Sequence, residues 1–206
     1  MEFIENKTFD ELAVGDFAEL SRTLKAQDIE LFAVMSGDVN PAHVDVEYAK
    51  TDLFHKVIAH GMWGGALISA VLGTQLPGPG TIYLNQSLNF RRPVGLGDTV
   101  RVRVTVAEKL AAKNQLILKC ECFNQDNEQV IEGEAKVIAP TEKVRRPKVL
   151  LPEVHLHENG AHFQKLLQAT VDLAPIRVAV VHPCDDLSLN GALEAMKQGL
   201  ITPILI

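Results

Sequence analysis

The alternation of apolar and polar residues in the middle of the chain predicts a sheet of long strands. Within residues 99–109, every second position from 100 to 106 is a valine, and mostly charged or polar residues lie between them. A period of two is typical of an antiparallel strand that buries one face. Residues 114–123 alternate in the same way, and further strands are predicted at residues 17–22, 81–90 and 129–139. Short connectors containing glycine, aspartate and asparagine separate the later strands, so we expect hairpins.

Two segments upstream carry a helical pattern instead. Residues 28–36 place apolar or small side chains at i, i+3, i+4 and i+7, and Gly37 is suited to end this helix in a left-handed cap. Residues 61–76 are almost entirely apolar or small, so this second helix lacks a polar face and should be wrapped on most sides by a core. A buried helix followed by a meander of antiparallel strands predicts the α+β class, with a sheet curled around the helix.

Composition narrows the range of functions. The 206 residues are 47% hydrophobic and 22% charged, which is ordinary for a globular protein. A formal net charge of −6 argues against nucleic acid as a partner, because there is no broad basic field to bind phosphates. No apolar run approaches the roughly 20 residues of a membrane span. The first residues lack the basic and apolar regions of a secretory signal, and three cysteines form no disulfide framework. We therefore expect a cytoplasmic chain without membrane contact.

The composition changes again after the predicted strands, which suggests three parts. We expect one domain over residues 1–140, a linker over 141–160 and the incomplete start of a second domain over 161–206. The basic cluster of the linker is interpreted as a solvated face, with a phosphate contact as the alternative; its members are Lys143, Arg145, Arg146 and Lys148.

The last part has the order of a βαβ unit of a parallel sheet. Its predicted elements are a helix at 162–170, a strand at 176–181, a helix at 187–197 and a strand at 201–206. Asp185 or Asp186 can cap the second helix, and Gly199 can end it. Cys184 is expected to be a small buried side chain rather than a nucleophile.

The strongest chemical signal is the sequence Ser-Gly-Asp-Val-Asn-Pro-Ala-His at residues 36–43. Residue types alone leave an ordinary turn open, because aspartate, asparagine and proline favour turns without any catalytic role. The catalytic interpretation is that Asp38 and His43, from one loop, hold one water molecule. The predicted buried helix begins at residues 60–62 and offers free backbone N–H groups. A carboxylate and an imidazole holding water, opposite donors aimed at a carbonyl oxygen, suit water addition or hydrolysis.

Residues 36–43 resemble, position by position, the hydratase motif of the MaoC-like family: Ser-Gly-Asp, any residue, Asn-Pro, any residue, His. Residues 48–49, 59–62 and 76–88 are also similar to the (R)-specific enoyl-CoA hydratases of that family, and the resemblance covers about residues 8–140. It implies a hot-dog fold, in which an antiparallel sheet wraps a central helix, usually as a homodimer or higher homo-oligomer. It also implies reversible hydration of trans-2-enoyl-CoA to (R)-3-hydroxyacyl-CoA.

The resemblance also implies roles for individual residues. Asp38 and His43 bind the attacking water and move its protons, while Asn40 fixes their geometry. The N–H of Gly61 stabilises the negative charge on the thioester oxygen, because a helix N-terminus carries partial positive charge. Ser69 receives only a supporting role in substrate binding.

The role of His60 is left open, with a hydrogen bond to backbone near the helix start preferred over a role in the reaction. The substrate is an acyl-CoA, so CoA enters as part of the substrate. No metal and no redox cofactor is expected, because water is the nucleophile and the thioester activates the alkene. Two alternatives remain for residues 1–140, an acyl-CoA-binding module without turnover and an acyl-CoA thioesterase.

The end of the chain carries a second resemblance. The stretches beginning at Val178, Gly191 and Gly199 are similar to the beginning of phosphate acetyl/butyryltransferases. This combination resembles that of bifunctional enoyl-CoA hydratase/phosphate acetyltransferases, which implies a parent protein with both activities. The acyl and phosphate sites of that second family lie largely downstream of the matched positions, so acyl transfer is not expected from these 206 residues.

Overall fold

The helices and strands of the chain fall into two units in this computed structural model, Met1–Val154 and His155–Ile206. The structure describes residues 2–152, 154, 156 and 161–206. The strands of the first unit are β1 (Phe3–Glu5), β2 (Phe17–Thr23), β3 (Ile82–Phe90), β4 (Thr99–Leu110), β5 (Gln115–Phe123), β6 (Gln129–Ile138) and β7 (Arg145–Pro147). Its helices are α1 (Ala26–Ser36), α2 (Pro41–Val44), α3 (Val46–Ala49) and α4 (Gly61–Thr74).

Five of these strands form one antiparallel sheet in the order β2-β4-β5-β6-β3. All five predicted strands are therefore confirmed, with bounds that differ by about one residue. The alternating positions point as expected: the four valines of β4 and the four apolar residues of β5 are buried. Val104 lies opposite Cys120, and Leu118 lies opposite Ala135. One face of the sheet thus supplies most of the core.

Helix α4 packs its apolar side against this face. Its buried side chains include Trp63, Leu67, Ile68 and Leu72, and they belong to the same hydrophobic cluster as the strand residues. The prediction that the helix is wrapped on most sides needs a correction. One stripe at helical spacing is exposed, and its members are Met62, Ala66, Ser69 and Gly73. Because the stripe and the neighbouring strand β3 lie at one side of the unit, a single chain leaves that side of α4 uncovered.

The predicted basic linker contains structure. Residues 145–147 form β7, which pairs with β1 near the start of the chain. Basic residues next to β7 pair with acidic side chains: Lys143 contacts Glu5 and Glu11, and Lys148 contacts Glu2. The hydrogen bond from the Thr8 backbone and the contact with Lys143 lower the pKa of Glu11. The solvated-face interpretation holds for these exposed side chains.

The second unit contains α5 (Ala161–Thr170), β8 (Ile176–Val180), α6 (Asp186–Lys197) and β9 (Ile201–Leu205). Strands β8 and β9 pair in parallel, so the predicted βαβ unit is confirmed. Asp185 caps α6, accepting a hydrogen bond from the backbone N–H of Ser188. Cys184 is exposed, so the expectation of a buried side chain was wrong. Among the residues described, no helix is long and apolar enough to cross a membrane.

Candidate active site

The motif at residues 36–43 forms a tight turn between α1 and α2. Gly37 ends α1 with φ 76°, a left-handed conformation that glycine adopts without strain. The backbone N–H of Asn40 donates to Oδ1 of Asp38 at 3.2 Å. The side chain of Asn40 accepts from the N–H of Ala42 and caps α2, with Pro41 at its first position. The turn chemistry that residue types suggested is therefore present, and it places the Asp38 carboxylate and the His43 helix next to each other.

His43 is half-buried, and one of its ring nitrogens has a fixed partner. Nδ1 lies 2.9 Å from the backbone carbonyl oxygen of Ile58. A carbonyl oxygen can only accept a hydrogen bond, so Nδ1 carries the proton in the neutral ring. Nε2 then keeps its lone pair and can accept a proton from water.

His60 lies immediately before α4 and is buried, with 2% of its surface exposed. Its Nε2 donates to the backbone carbonyl of Asp38 at 3.0 Å, and its ring lies 4.0 Å from that of His43 and 4.8 Å from that of Phe32. The preferred interpretation, a hydrogen bond to backbone, agrees with this contact, but the acceptor belongs to the motif loop 22 residues away. Asp38, His43 and His60 each place one polar atom within 4.8 Å of the others.

A cavity of about 260 Å³ opens beside this cluster and is here called the site cavity. His43, His60, Gly61 and Trp63 line it together with apolar residues such as Phe90. Gly61 is the first residue of α4, so no carbonyl within the helix can accept its N–H. A Cβ atom at Gly61 would lie 3.0 Å from the ring of Phe90, which explains glycine at this position. The cavity thus combines an imidazole with a helix N-terminus.

Ser69 does not line the site cavity. It lies on the exposed stripe of α4, in a second cavity of about 460 Å³ that is here called the lateral cavity. Met62, Tyr83 and Leu88 also line the lateral cavity. Burial raises the pKa of Tyr83 to about 12, so this phenol stays protonated at neutral pH. The structure therefore places His43 and Gly61 on the site cavity. Asp38 does not line that cavity, but its carboxylate lies within 4.8 Å of a ring nitrogen of His43. Ser69 lies in the lateral cavity instead.

Sequence reasoning did not find the contact between His60 and Asp38, or the ring of Phe90 against Gly61. Phe90 is the last residue of β3, the strand that follows the helix in the chain. An aromatic residue at the end of a predicted strand is the only sequence signal for it. The position of His60 directly before the helix is a local feature, but its acceptor lies 22 residues away and no local pattern specifies it.

Comparison with known proteins decides the family. The model described as MaoC like domain matches residues 16–121. The chain belongs to this family. An (R)-specific enoyl-CoA hydratase from Rhodospirillum rubrum is 48% identical over 132 residues, which are 64% of this chain and 91% of that relative. The structure of R-hydratase PhaJ1 from Pseudomonas aeruginosa matches with a TM-score of 0.73 and 47% identity, covering 76% of this chain and 100% of that one. The predicted α+β class and hot-dog fold are confirmed.

The end of this MaoC-like chain has a separate relative. A phosphate acetyltransferase from Rhizobium meliloti is 50% identical over 44 residues, which are 21% of this chain and 14% of that relative. The predicted resemblance of the last segment to a phosphate acyltransferase is therefore confirmed. Because the match spans about a seventh of the transferase, it identifies a relationship of sequence and carries no activity to this chain.

Proposed function

We propose that this chain reversibly hydrates trans-2-enoyl-CoA to (R)-3-hydroxyacyl-CoA. The curated relatives include an (R)-specific enoyl-CoA hydratase and a 3-hydroxybutyryl-CoA dehydratase, so the chain is an enzyme of the hydro-lyase class. The observation that carries the finer proposal is the convergence of Asp38 and His43 beside the N-terminus of α4. The direction of water attack, and hence the (R) configuration, is inferred from the relatives.

Water is the nucleophile in the proposed mechanism. His43 Nε2 accepts one proton from the water, and the Asp38 carboxylate accepts a hydrogen bond from the other. The water oxygen bonds to Cβ of the enoyl thioester while the π electrons move toward the thioester oxygen, and the imidazolium of His43 then returns its proton to Cα. The enzyme returns to its starting protonation state, because one proton is taken up and one is given back. Asn40 supports this geometry through its N–H to Asp38 and its cap on α2.

Negative charge develops on the thioester oxygen as water adds to Cβ. The N–H of Gly61 is the proposed donor to that oxygen, because it is free of helical partners and belongs to the positive end of α4. A single preorganised donor of this kind typically lowers the barrier by about 3 kcal/mol. No metal and no redox cofactor takes part in this scheme, and CoA enters as part of the substrate.

We also propose that the enzyme is a homodimer or a higher homo-oligomer. Strand β3 is an edge of the sheet, and an unpaired edge is a template for pairing with a second chain. The open stripe of α4 lies beside this edge, and Met62 on the stripe is 55% exposed. A second copy placed there would cover the lateral cavity, where Ser69 has its proposed supporting role in substrate binding. Sedimentation equilibrium of the purified chain tests the assembly.

The proposed location is the cytoplasm. The three cysteines are free thiols, a state that a reducing compartment maintains. The relative of the last segment suggests a protein in which hydration and phosphate acyl transfer occur in one chain. We do not expect acyl-phosphate formation from these 206 residues, and incubation with acyl-CoA and phosphate checks that expectation.

The deciding experiment is an assay of crotonyl-CoA hydration. The loss of the conjugated absorbance measures the rate, and chiral analysis of the product determines its configuration. Asp38→Asn should lower kcat by about 10²–10⁴-fold, the range typical of a lost general acid–base group, while CoA binding stays nearly unchanged. His55→Gln is the matched control, because His55 is an exposed histidine outside the cluster. Full activity of Asp38→Asn would contradict the assignment.

The same assay separates the alternative functions. A thioesterase would release free CoA thiol without loss of the conjugated absorbance. A binding module would retain acyl-CoA without changing it. Assays over several acyl lengths would then define the substrate range.

A further inference from the structure

We propose that Asp38, His43 and His60 form a binding site for a divalent first-row transition metal such as Zn²⁺, and that a bound ion inhibits the enzyme. A carboxylate oxygen of Asp38 and one nitrogen from each imidazole lie within 4.8 Å of one another. Two imidazoles and a carboxylate are a common protein ligand set for zinc, with the remaining position open to water.

The hydrogen bonds behind the two histidines favour this use. Metal-binding histidines usually donate their second ring N–H to a carbonyl or carboxylate, which fixes the ring and leaves the other nitrogen as a lone-pair donor. His43 donates through Nδ1 to the carbonyl of Ile58, at 2.9 Å. His60 donates through Nε2 to the carbonyl of Asp38, at 3.0 Å. These contacts leave Nε2 of His43 and Nδ1 of His60 as the lone-pair nitrogens of the two neutral rings.

His60 supplies an independent observation. Its Nδ1 is a buried polar atom without a hydrogen-bond partner among the described residues. A buried acceptor without a partner costs free energy, and coordination of a cation would satisfy it. The proposed mechanism of hydration makes no use of this nitrogen.

Binding of an ion requires the three ligand atoms to approach one another. Ligands at about 2.0–2.1 Å from a tetrahedral zinc ion lie roughly 3.4 Å from one another, which is shorter than the present limit of 4.8 Å. Asp38 lies on an exposed loop, so its side chain can move toward the two rings. Imidazole ligands favour Zn²⁺ and Co²⁺ over Mg²⁺ and Ca²⁺, which prefer sets made of oxygen alone.

Inhibition follows from the overlap of the two sites. An ion held by Asp38 and His43 occupies the lone pairs that the proposed reaction needs for water. This consequence rests on the proposed function, whereas the binding of the ion does not. If the chain does not hydrate crotonyl-CoA, the metal titration still tests whether the three residues bind an ion.

The test is a titration of the untagged full chain with Co²⁺, followed by its visible absorbance, and with Zn²⁺ by calorimetry. We expect one equivalent of either ion, and no comparable signal with Mg²⁺. Asp38→Asn, His43→Gln and His60→Gln should each weaken binding at least tenfold. His55→Gln is the matched histidine control. Cys184→Ser is the second control, because Cys184 Sγ lies 3.1 Å from His182 Nε2 and could bind zinc elsewhere.

Thermal unfolding of each variant shows whether the fold is kept. Asp38 is exposed, so Asp38→Asn remains informative even where the replacement of buried His60 prevents folding. Unchanged Zn²⁺ affinity in folded Asp38→Asn and His43→Gln would overturn the proposal, as would loss of binding in Cys184→Ser or absence of Co²⁺ and Zn²⁺ binding by the unaltered chain. In the activity assay, Zn²⁺ should slow hydration at the concentration that fills the site, and a chelator should restore the rate.

Discussion

The two units of this protein differ in what their secondary structure buries. In the first unit, alternating strands and α4 share one hydrophobic cluster, and Leu118 is fully buried. Among the side chains of residues 165 and 167–206, where burial is described, none is buried, and Leu187 on α6 is 88% exposed. Both units nevertheless contain the helices and strands that their patterns predict. Local pattern is thus sufficient for an element, whereas a core requires layers that cover the apolar faces.

The largest expected effect tests this difference in stability directly. Leu118→Ala removes a side chain from the centre of the sheet, so the free energy of unfolding of the first unit should fall by about 2–5 kcal/mol. Leu187→Ala is the matched change in the second unit and should stay within about 0.5 kcal/mol, because the side chain is exposed. Urea unfolding gives both values when Trp63 fluorescence follows the first unit and far-UV circular dichroism follows the helices of both units. Equal losses for the two variants would refute the comparison.

A substitution in the first turn of α4 tests whether the hydratase activity depends on the first unit. Gly61→Pro removes the proposed oxyanion donor, yet proline fits the first position of a helix. His60, at φ −57° and ψ 134°, is outside the helical conformation that a following proline disfavours. We expect kcat for crotonyl-CoA hydration to fall by about 10²–10³-fold.

Gly61→Ala is the control for this prediction, because it adds a Cβ near Phe90 but keeps the N–H. Its kcat should remain well above that of Gly61→Pro. Similar rates for the two variants would show that steric contact with Phe90, and not the missing donor, limits the reaction.

The smallest effect is a difference in thiol reactivity, with no residue changed. Burial raises the pKa of Cys120 to about 11 and that of Cys122 to about 12, so neither supplies much thiolate at pH 8. Cys184 is exposed. An alkylating reagent should therefore modify one thiol quickly in the folded chain and all three after denaturation, as counted by mass spectrometry. Rapid modification of Cys120 in the folded chain would contradict the packing described for β5.

Some features of the candidate site follow from local sequence pattern, and others follow from tertiary packing. The turn at Gly37 and the cap at Asn40 are local, so residue types alone predicted that Asp38 and His43 come from one turn. The position of Ser69 depends on which stripe of α4 remains uncovered, and the apolar sequence of that helix has no polar face to mark it. For this reason the sequence predicted the dyad loop but not the separation of Ser69 from the site cavity.

The amino-acid order by itself determined the strands, the main helices, the motif loop and the βαβ unit, because periodicity and turn residues act over a few neighbours. Tertiary structure decided the pairing of β1 with β7, which joins Phe3 to Pro147, and the hydrogen bond from His60 to Asp38 across 22 residues. Such contacts depend on how the whole sheet brings distant segments together, and no local pattern specifies them.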